Sequence, residues 1–166
     1  IPNDRRHAIA RGETLADRTQ GAALFADISG FTPLTEALTL THGPRRSVEE
    51  LTRHMNAVYE TLVAEIDRHG GSVISFAGDG VTCWFDDARA NASARAVACA
   101  LAMQFAMQKY AAVTQPDGTL TELSMKATVA SGPARRFIVG DPEIQWIDAL
   151  AGNTIARMAT AEQLSK

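Results

Sequence analysis

AALFADISGFTPLTEA, residues 22–37, and SVISFAGDGVTCWF, residues 72–85, each run an apolar, strand-like stretch into a glycine turn and leave an aspartate at the junction, Asp27 and Asp79. If the two stretches are neighbouring strands of one sheet, both carboxylates emerge at the same sheet end, the arrangement that two-metal phosphoryl chemistry requires. At ~4 Å and an effective dielectric of ~20 two such charges repel by roughly 4 kcal/mol, so a close pair calls for a cation between them. Mg²⁺ suits the pair, because it takes few carboxylates and leaves its other positions to water and substrate phosphates. Taken singly, each aspartate has a plainer reading. Asp79 is a hairpin-turn residue before Gly80, and Asp27 a strand-end residue bonding the amides of the SGFT turn.

Working outward, Ser29-Gly30 ends the first strand, and Thr32 and Pro33 read as an N-cap and a first-turn proline of a short helix reaching about residue 40. THGPRR then reads as a loop, and Ser47-Val48-Glu49-Glu50 has the form of a capping box that starts a long helix. Val48, Leu51, Met55, Val58, Leu62 and Ile66 alternate steps of three and four on one stripe, and Gly70-Gly71 ends the helix. SVISFA and VTCWF flank Gly78-Asp79-Gly80 as a hairpin, with Asp-Gly supplying the positive φ angles. A helix over 89–110 follows, with Ala94, Val97, Ala98, Leu101 and Phe105 as its expected inner face. After the loop TQPDGT come ELSMKATVA and ARRFIVG as two strands about Gly132-Pro133, EIQWIDAL as another, and a last helix from Asn153. Residues 1–21, mixed and polar, read as an arm or linker before a domain over 22–166.

Bulk properties narrow the partners. The 166 residues, 46% hydrophobic and 21% charged, suffice for one domain with its own core. A net charge of −3, with the arginine pairs Arg45-Arg46 and Arg135-Arg136 too small to form one, gives no track for nucleic acid. Of the arginine pair at 135–136, one member must face the packed side, since adjacent strand residues point to opposite faces. Cys83 and Cys99 lack CxxC spacing and read as reduced core thiols. The first residues, IPNDRRHAIARGETL, lack the apolar core of a signal peptide, and no run nears the ~20 apolar residues of a membrane span, so a soluble, cytoplasmic protein without a membrane partner is expected. His42, His54 and His69 form no cluster that suggests a metal site.

The element order is strand, two helices, hairpin, helix, hairpin, strand, helix: an α+β fold with a ferredoxin-like βαββαβ core, one extra helix, and helices packed on an antiparallel-rich sheet. FADISGFTPLTE followed by GGSVISFAGDG closely resembles the catalytic domain of class III adenylate and guanylate cyclases, the soluble, bicarbonate-responsive type above all. The resemblance covers roughly 22–158 and implies, position by position, that Asp27, Asp79 and the carbonyl of Ile28 hold two Mg²⁺ or Mn²⁺ ions. It implies too that Gly30, Phe31 and Thr32 hold the triphosphate, as free amides at a helix start favour an anion. The implied reaction closes a 3′,5′-cyclic nucleotide from a triphosphate, ATP first among them, with release of pyrophosphate, at an interface with a second copy or a second cyclase domain. A bicarbonate-like small anion is a further implied ligand, and the family's fold continues with one more strand after the last helix.

Three departures bear on activity. Ser75 stands where purine-selecting members carry a lysine. In a gap-free register Asn153 and Arg157 match the transition-state asparagine and arginine, and Trp146 falls at the other base-selecting position, with Asp148 on the same strand face as a substitute. The other register aligns Gly152 with the strand-to-helix glycine and puts Ala156 in the asparagine's place. The sequence thus supports either a nucleotide cyclase or a degenerate cyclase domain that binds metal, nucleotide or a small anion and regulates a partner without turnover.

Overall fold

The computed structural model describes residues 1–114, 118, 120–141 and 143–165. Five strands form one sheet in the order β2-β3-β1-β6-β7, all pairs antiparallel: β1 (Arg18–Ser29), β2 (Ser72–Ala77), β3 (Gly80–Asp86), β6 (Ser124–Asp141) and β7 (Gln145–Ala151). The helices are α1 (Asn3–Ala10), α2 (Phe31–Arg68), α3 (Ala92–Met107) and α4 (Asn153–Leu164). The short strands β4 (Val113–Thr114) and β5 (Leu120–Thr121) pair apart from the sheet. The expected βαββαβ order is therefore present as β1, α2, β2, β3, α3, β6, with β7 added beyond β6 and α4 after it. Apart from Thr114 and Gly118, the loop TQPDGT lies outside the described residues.

β1 is the central strand, and period-2 alternation sends its side chains into two cores. Ala22, Leu24, Ala26 and Ile28 join Val58, Leu62 and Ile66 of α2 and Ala96, Cys99 and Met103 of α3 on one face. Ala23 joins Trp84, Ala130, Ala134 and Met158 of α4 on the other. Burial on both faces is why residues 22–26 read as an unbroken apolar run.

Several elements depart from the sequence reading. Residues 3–10 of the expected arm form α1, and β1 begins at Arg18, not Ala22. The two expected helices run on as α2 with only Gly43 out of helical geometry, so Pro44 opens the second segment. The capping box is not formed: Ser47 is buried and its hydroxyl donates to the Pro44 carbonyl at 3.0 Å. Val58, Leu62 and Ile66 are core, whereas Val48 is exposed.

On α3 the expected inner face is the outer one. Val97, Leu101 and Phe105 face solvent, Phe105 at 74% exposure, while Ala92, Ala96, Cys99, Met103 and Met107 are buried. The helix is apolar all round, so periodicity cannot say which side the sheet takes. Finally, ELSMKATVA and ARRFIVG are one strand, β6, which pairs with β1 up to Arg135 and with β7 from Arg135 onward.

Candidate active site at one sheet end

Asp27 lies near the end of β1, opposite Gly80 of β3, and the Ile28 amide donates to the Asp79 carbonyl at 3.2 Å. This cross-strand register sets Asp79, on the β2–β3 turn, beside Asp27. The turn is Gly78-Asp79, closed by the Ala77–Gly80 pair, and its positive φ falls on Gly78 (61°) rather than on Asp79 as the Asp-Gly reading expected. Partial burial and then the neighbouring Asp79 charge push the Asp27 carboxyl above its usual range, with Lys126 acting in the opposite direction.

Lys126 is the residue that sequence reasoning missed. It sits directly across from Asp27 in the β1–β6 register, with Nζ 3.6 Å from Asp27 Oδ2, and it also contacts Glu162 of α4. Tyr59 of α2 is a second: its hydroxyl donates to the Gly78 carbonyl at 3.3 Å, and its ring meets Phe76 edge-on at 5.2 Å. Burial and the charges of Asp79 and Asp27 raise its phenol. The signal for Lys126 is an opposite-charge cross-strand pair, legible only once the register is known.

Two residues beyond Ile28, Gly30 caps α2 with φ 107°. A Cβ there would run into the Glu122 carbonyl, so the turn needs both the conformation and the bare Cα of glycine. Phe31 is the first helical residue; Thr32 lies inside the first turn and is exposed, so it is not the cap that its sequence position suggested. The amides of Gly30, Phe31 and Thr32 precede any intrahelical partner, and the positive end of the helix dipole points past them.

Among the described residues no group of three or more His, Cys, Asp or Glu side chains could hold a metal. Two carboxylates, with a backbone carbonyl at Ile28 available from the same strand end, make an all-oxygen set that leaves positions for water and phosphate. That set fits Mg²⁺ and falls short of a closed Zn²⁺ or Ca²⁺ cage.

The remaining expected residues lie elsewhere. Gly152, at φ 120°, makes the turn from β7 into α4, and Asn153 is the first helical residue. Thr154 donates to the Pro133 carbonyl at 2.7 Å and Arg157 to that of Ser131 at 3.1 Å. Pro133 and Ser131 pair with Gln20 and Ala22, five to seven residues from Asp27 along β1, or roughly 16–23 Å at ~3.3 Å per residue. Asn153 and Arg157 are thus far from their own chain's aspartates. Ser75 is exposed on the edge strand β2, and Trp146 is half-exposed on β7.

Asp148, read from the sequence as a substitute at the base-selecting position, is taken up in ion pairs within its own chain. Its side chain is 2% exposed, held by Arg5 of α1 and by Arg136 Nε at 3.0 Å. Arg136 in turn grips Asp4, making a quartet of two acids and two arginines that is buried but for the partly exposed Asp4. Arg136 is therefore the inward member of the arginine pair, while Arg135 stays exposed and pairs with Asp17.

Residues 17–165 match the family model for the adenylate and guanylate cyclase catalytic domain. Human adenylate cyclase type 10 is 37% identical over 67 residues, 38% of this chain and 4% of that protein. The rabbit protein of the same name is 35% identical over 63 residues, with the same shares of each, so the chain spans 4% of the length of these curated relatives. Among solved structures, a bacterial light-regulated adenylyl cyclase superposes at TM-score 0.76 and 22% identity over 99% of this chain and 46% of that one. The adenylyl cyclase CyaB from P. aeruginosa gives 0.69 and 21% over 90% of this chain and 74% of that one. The guanylate cyclase domain of RhGC from Catenaria anguillulae, solved in complex with GTP, gives 0.70 and 21% over 91% and 76%. At these identities the likeness is one of fold.

Proposed function

Because the chain belongs to the adenylate and guanylate cyclase catalytic-domain family, the class III cyclases, we propose that it supplies half of a composite site that converts a nucleoside triphosphate, ATP first, to 3′,5′-cyclic nucleotide and pyrophosphate. The observation that carries this reading is the Asp27–Asp79 pair with Lys126 beside it, one turn from the Gly30 helix start. Asp27, Asp79 and the Ile28 carbonyl would hold two Mg²⁺ or Mn²⁺ ions, which when bound would neutralise the triphosphate and lower the pKa of the ribose 3′-hydroxyl. Gly30, Phe31 and Thr32 orient the phosphates through their amides, and Lys126 adds a cation on the same side. Asn153 and Arg157, too distant from their own aspartates, act on those of a second copy or a second cyclase domain, where Arg157 would stabilise charge on the pentavalent phosphorus. The exposed Phe137, Ile138, Val139, Ile144 and Ile147 on and around the β6–β7 hairpin are the apolar surface such a partner would cover.

Purified chain incubated with Mg²⁺ or Mn²⁺ and each triphosphate should release cyclic nucleotide, and Asp79→Asn should abolish it. Equal product from Asp79→Asn would remove the aspartate pair from the mechanism.

The second reading is a domain that binds metal with nucleotide or a bicarbonate-like anion and regulates a partner without turnover. Two observations favour it. Gly152 occupies the strand-to-helix turn, the feature that aligns Ala156 with the family's asparagine, and Arg157 is tied to a carbonyl of its own chain. Metal-dependent nucleotide binding without cyclic product, unchanged in Arg157→Ala, would select it.

A further inference from the structure

The outer face of α3 is apolar and has no part in the function proposed above. Val97, Leu101 and Phe105 are 48, 66 and 74% exposed, with the exposed Ala94 and Ala98 beside them. Nothing among the described residues covers this stripe, although a helix that is apolar all round belongs in an interior. The stripe is also uncharged. Arg95 is the one charged residue of α3, and its guanidinium turns back to the carbonyls of His69, Gly70 and Ala90 of its own chain. An apolar centre bounded by Ser93, Gln104 and Gln108, polar but neutral, has the make-up of the core of a protein–protein contact.

A gradient of side-chain size along the stripe decides what fits it. The N-terminal half is short, Ser93, Ala94, Val97 and Ala98, and the C-terminal half long, Leu101, Gln104, Phe105 and Gln108. A copy of the same helix laid antiparallel, with the two-fold axis at Leu101, sets Phe105 against Val97, Gln104 against Ala98 and Gln108 against Ala94, long on short at each step. A parallel copy would set Phe105 on Phe105 and leave a void along the alanines. Those alanines let the axes approach to ~8 Å, the close end of the usual range. Charge does not oppose the pairing, because Lys109, the next cation along the chain, would lie roughly 24 Å from its counterpart at ~1.5 Å of rise per residue.

We propose that the outer face of α3 binds the same face of a second copy of this chain, as an antiparallel, two-fold helix pair. α3 and α4 lie on opposite faces of the sheet, so the pair leaves Asn153 and Arg157 free and is distinct from the composite-site contact. Three large side chains and two alanines cover well under the ~800 Å² per partner of a stable interface, so the contact is weak alone and forms as concentration rises. Folding measured in dilute solution does not report it. A copy that makes both contacts has two neighbours, and assemblies larger than a dimer follow.

Cross-linking on the full chain tests the register. Cys83 and Cys99 are buried, so a thiol introduced on α3 is the reactive one. A short bismaleimide should join Leu101→Cys to its own counterpart on the axis. Ala94→Cys and Gln108→Cys should each cross-link poorly alone, because like positions lie roughly 21 Å apart at ~1.5 Å per residue, and well when mixed. Sedimentation of wild type should show association growing over about a hundredfold range of concentration. Phe105→Glu, which would bury an unpaired charge against Val97, should weaken that association about tenfold or more, while Phe105→Leu keeps it. Cross-linking of Leu101→Cys no greater than that of Ala94→Cys alone overturns the pairing, as does association that Phe105→Glu leaves unchanged. Wild type that does not associate at any concentration overturns it too, and assigns the face to a partner of another kind.

Discussion

Asp79 and Lys126 act on the Asp27 carboxyl in opposite directions, and burial adds to the effect of Asp79. A carboxyl whose folded pKa lies above its unfolded value contributes stability below the ordinary range near 3.8, and this is lost as pH rises through the folded value. Asp79→Asn should therefore raise the melting temperature at neutral pH without metal, while abolishing the rise that Mn²⁺ with ATP gives wild type. A variant that melts lower without metal, or keeps the metal-linked rise, would contradict the pairing. The two thiols give an independent check on the core. Burial and then Glu65 push Cys99 up to about 12, and burial raises the Cys83 thiol well above its usual range, so neither should react with a thiol reagent at pH 8 until the protein unfolds. At this scale the aspartates were legible because each is fixed by a local pattern, an apolar run meeting a glycine turn. Lys126 was not, since its partnership with Asp27 depends on the register of strands far apart in sequence.

Elements were legible where one face alone is apolar. The C-terminal half of α2 fits that rule, and its stripe is core. α3 breaks it, with apolar residues on both sides, and only the sheet's position selects Cys99 and Met103 over Leu101 and Phe105. The consequence is measurable by urea denaturation. Phe105→Ser and Leu101→Gln should change stability by no more than about 0.5 kcal/mol, as surface substitutions do. Met103→Ala should cost about 2–5 kcal/mol. The reverse ranking would mean that the helix packs through its other side. α1 was illegible for a different reason: its buried residues are Arg5 and Ala8, and what holds Arg5 lies on β7, at the far end of the chain.

For the whole molecule, the decisive fact is distance. Asn153 and Arg157 sit several residues along the sheet from Asp27, so under the proposed function these two residues would complete the site of a second chain or domain and not their own. If two copies do so head to tail, Asp79→Asn and Arg157→Ala should each be inactive alone and complement when mixed. One intact site per mixed dimer gives about a quarter of wild-type turnover under random pairing. Turnover by Arg157→Ala alone at the wild-type rate would rule out this division of labour.

The quartet at α1 is built so that each side brings one acid and one base: Asp4 and Arg5 from the helix, Arg136 and Asp148 from the hairpin. The helix can therefore part from the hairpin without stranding a net charge on either, like a clasp whose halves are each electrically whole. What fastens it is close fit, not long-range attraction. Acid should open it at Asp4. Burial alone would raise that carboxyl, but the hydrogen bonds and charge of Arg136 prevail and hold it below 3.8. Its contribution is present above that value and is lost as pH falls through the folded one. Amide exchange in residues 3–10 should accelerate there before the central strand loosens, and simultaneous loss of protection in both would show the clasp to be an inseparable part of the core.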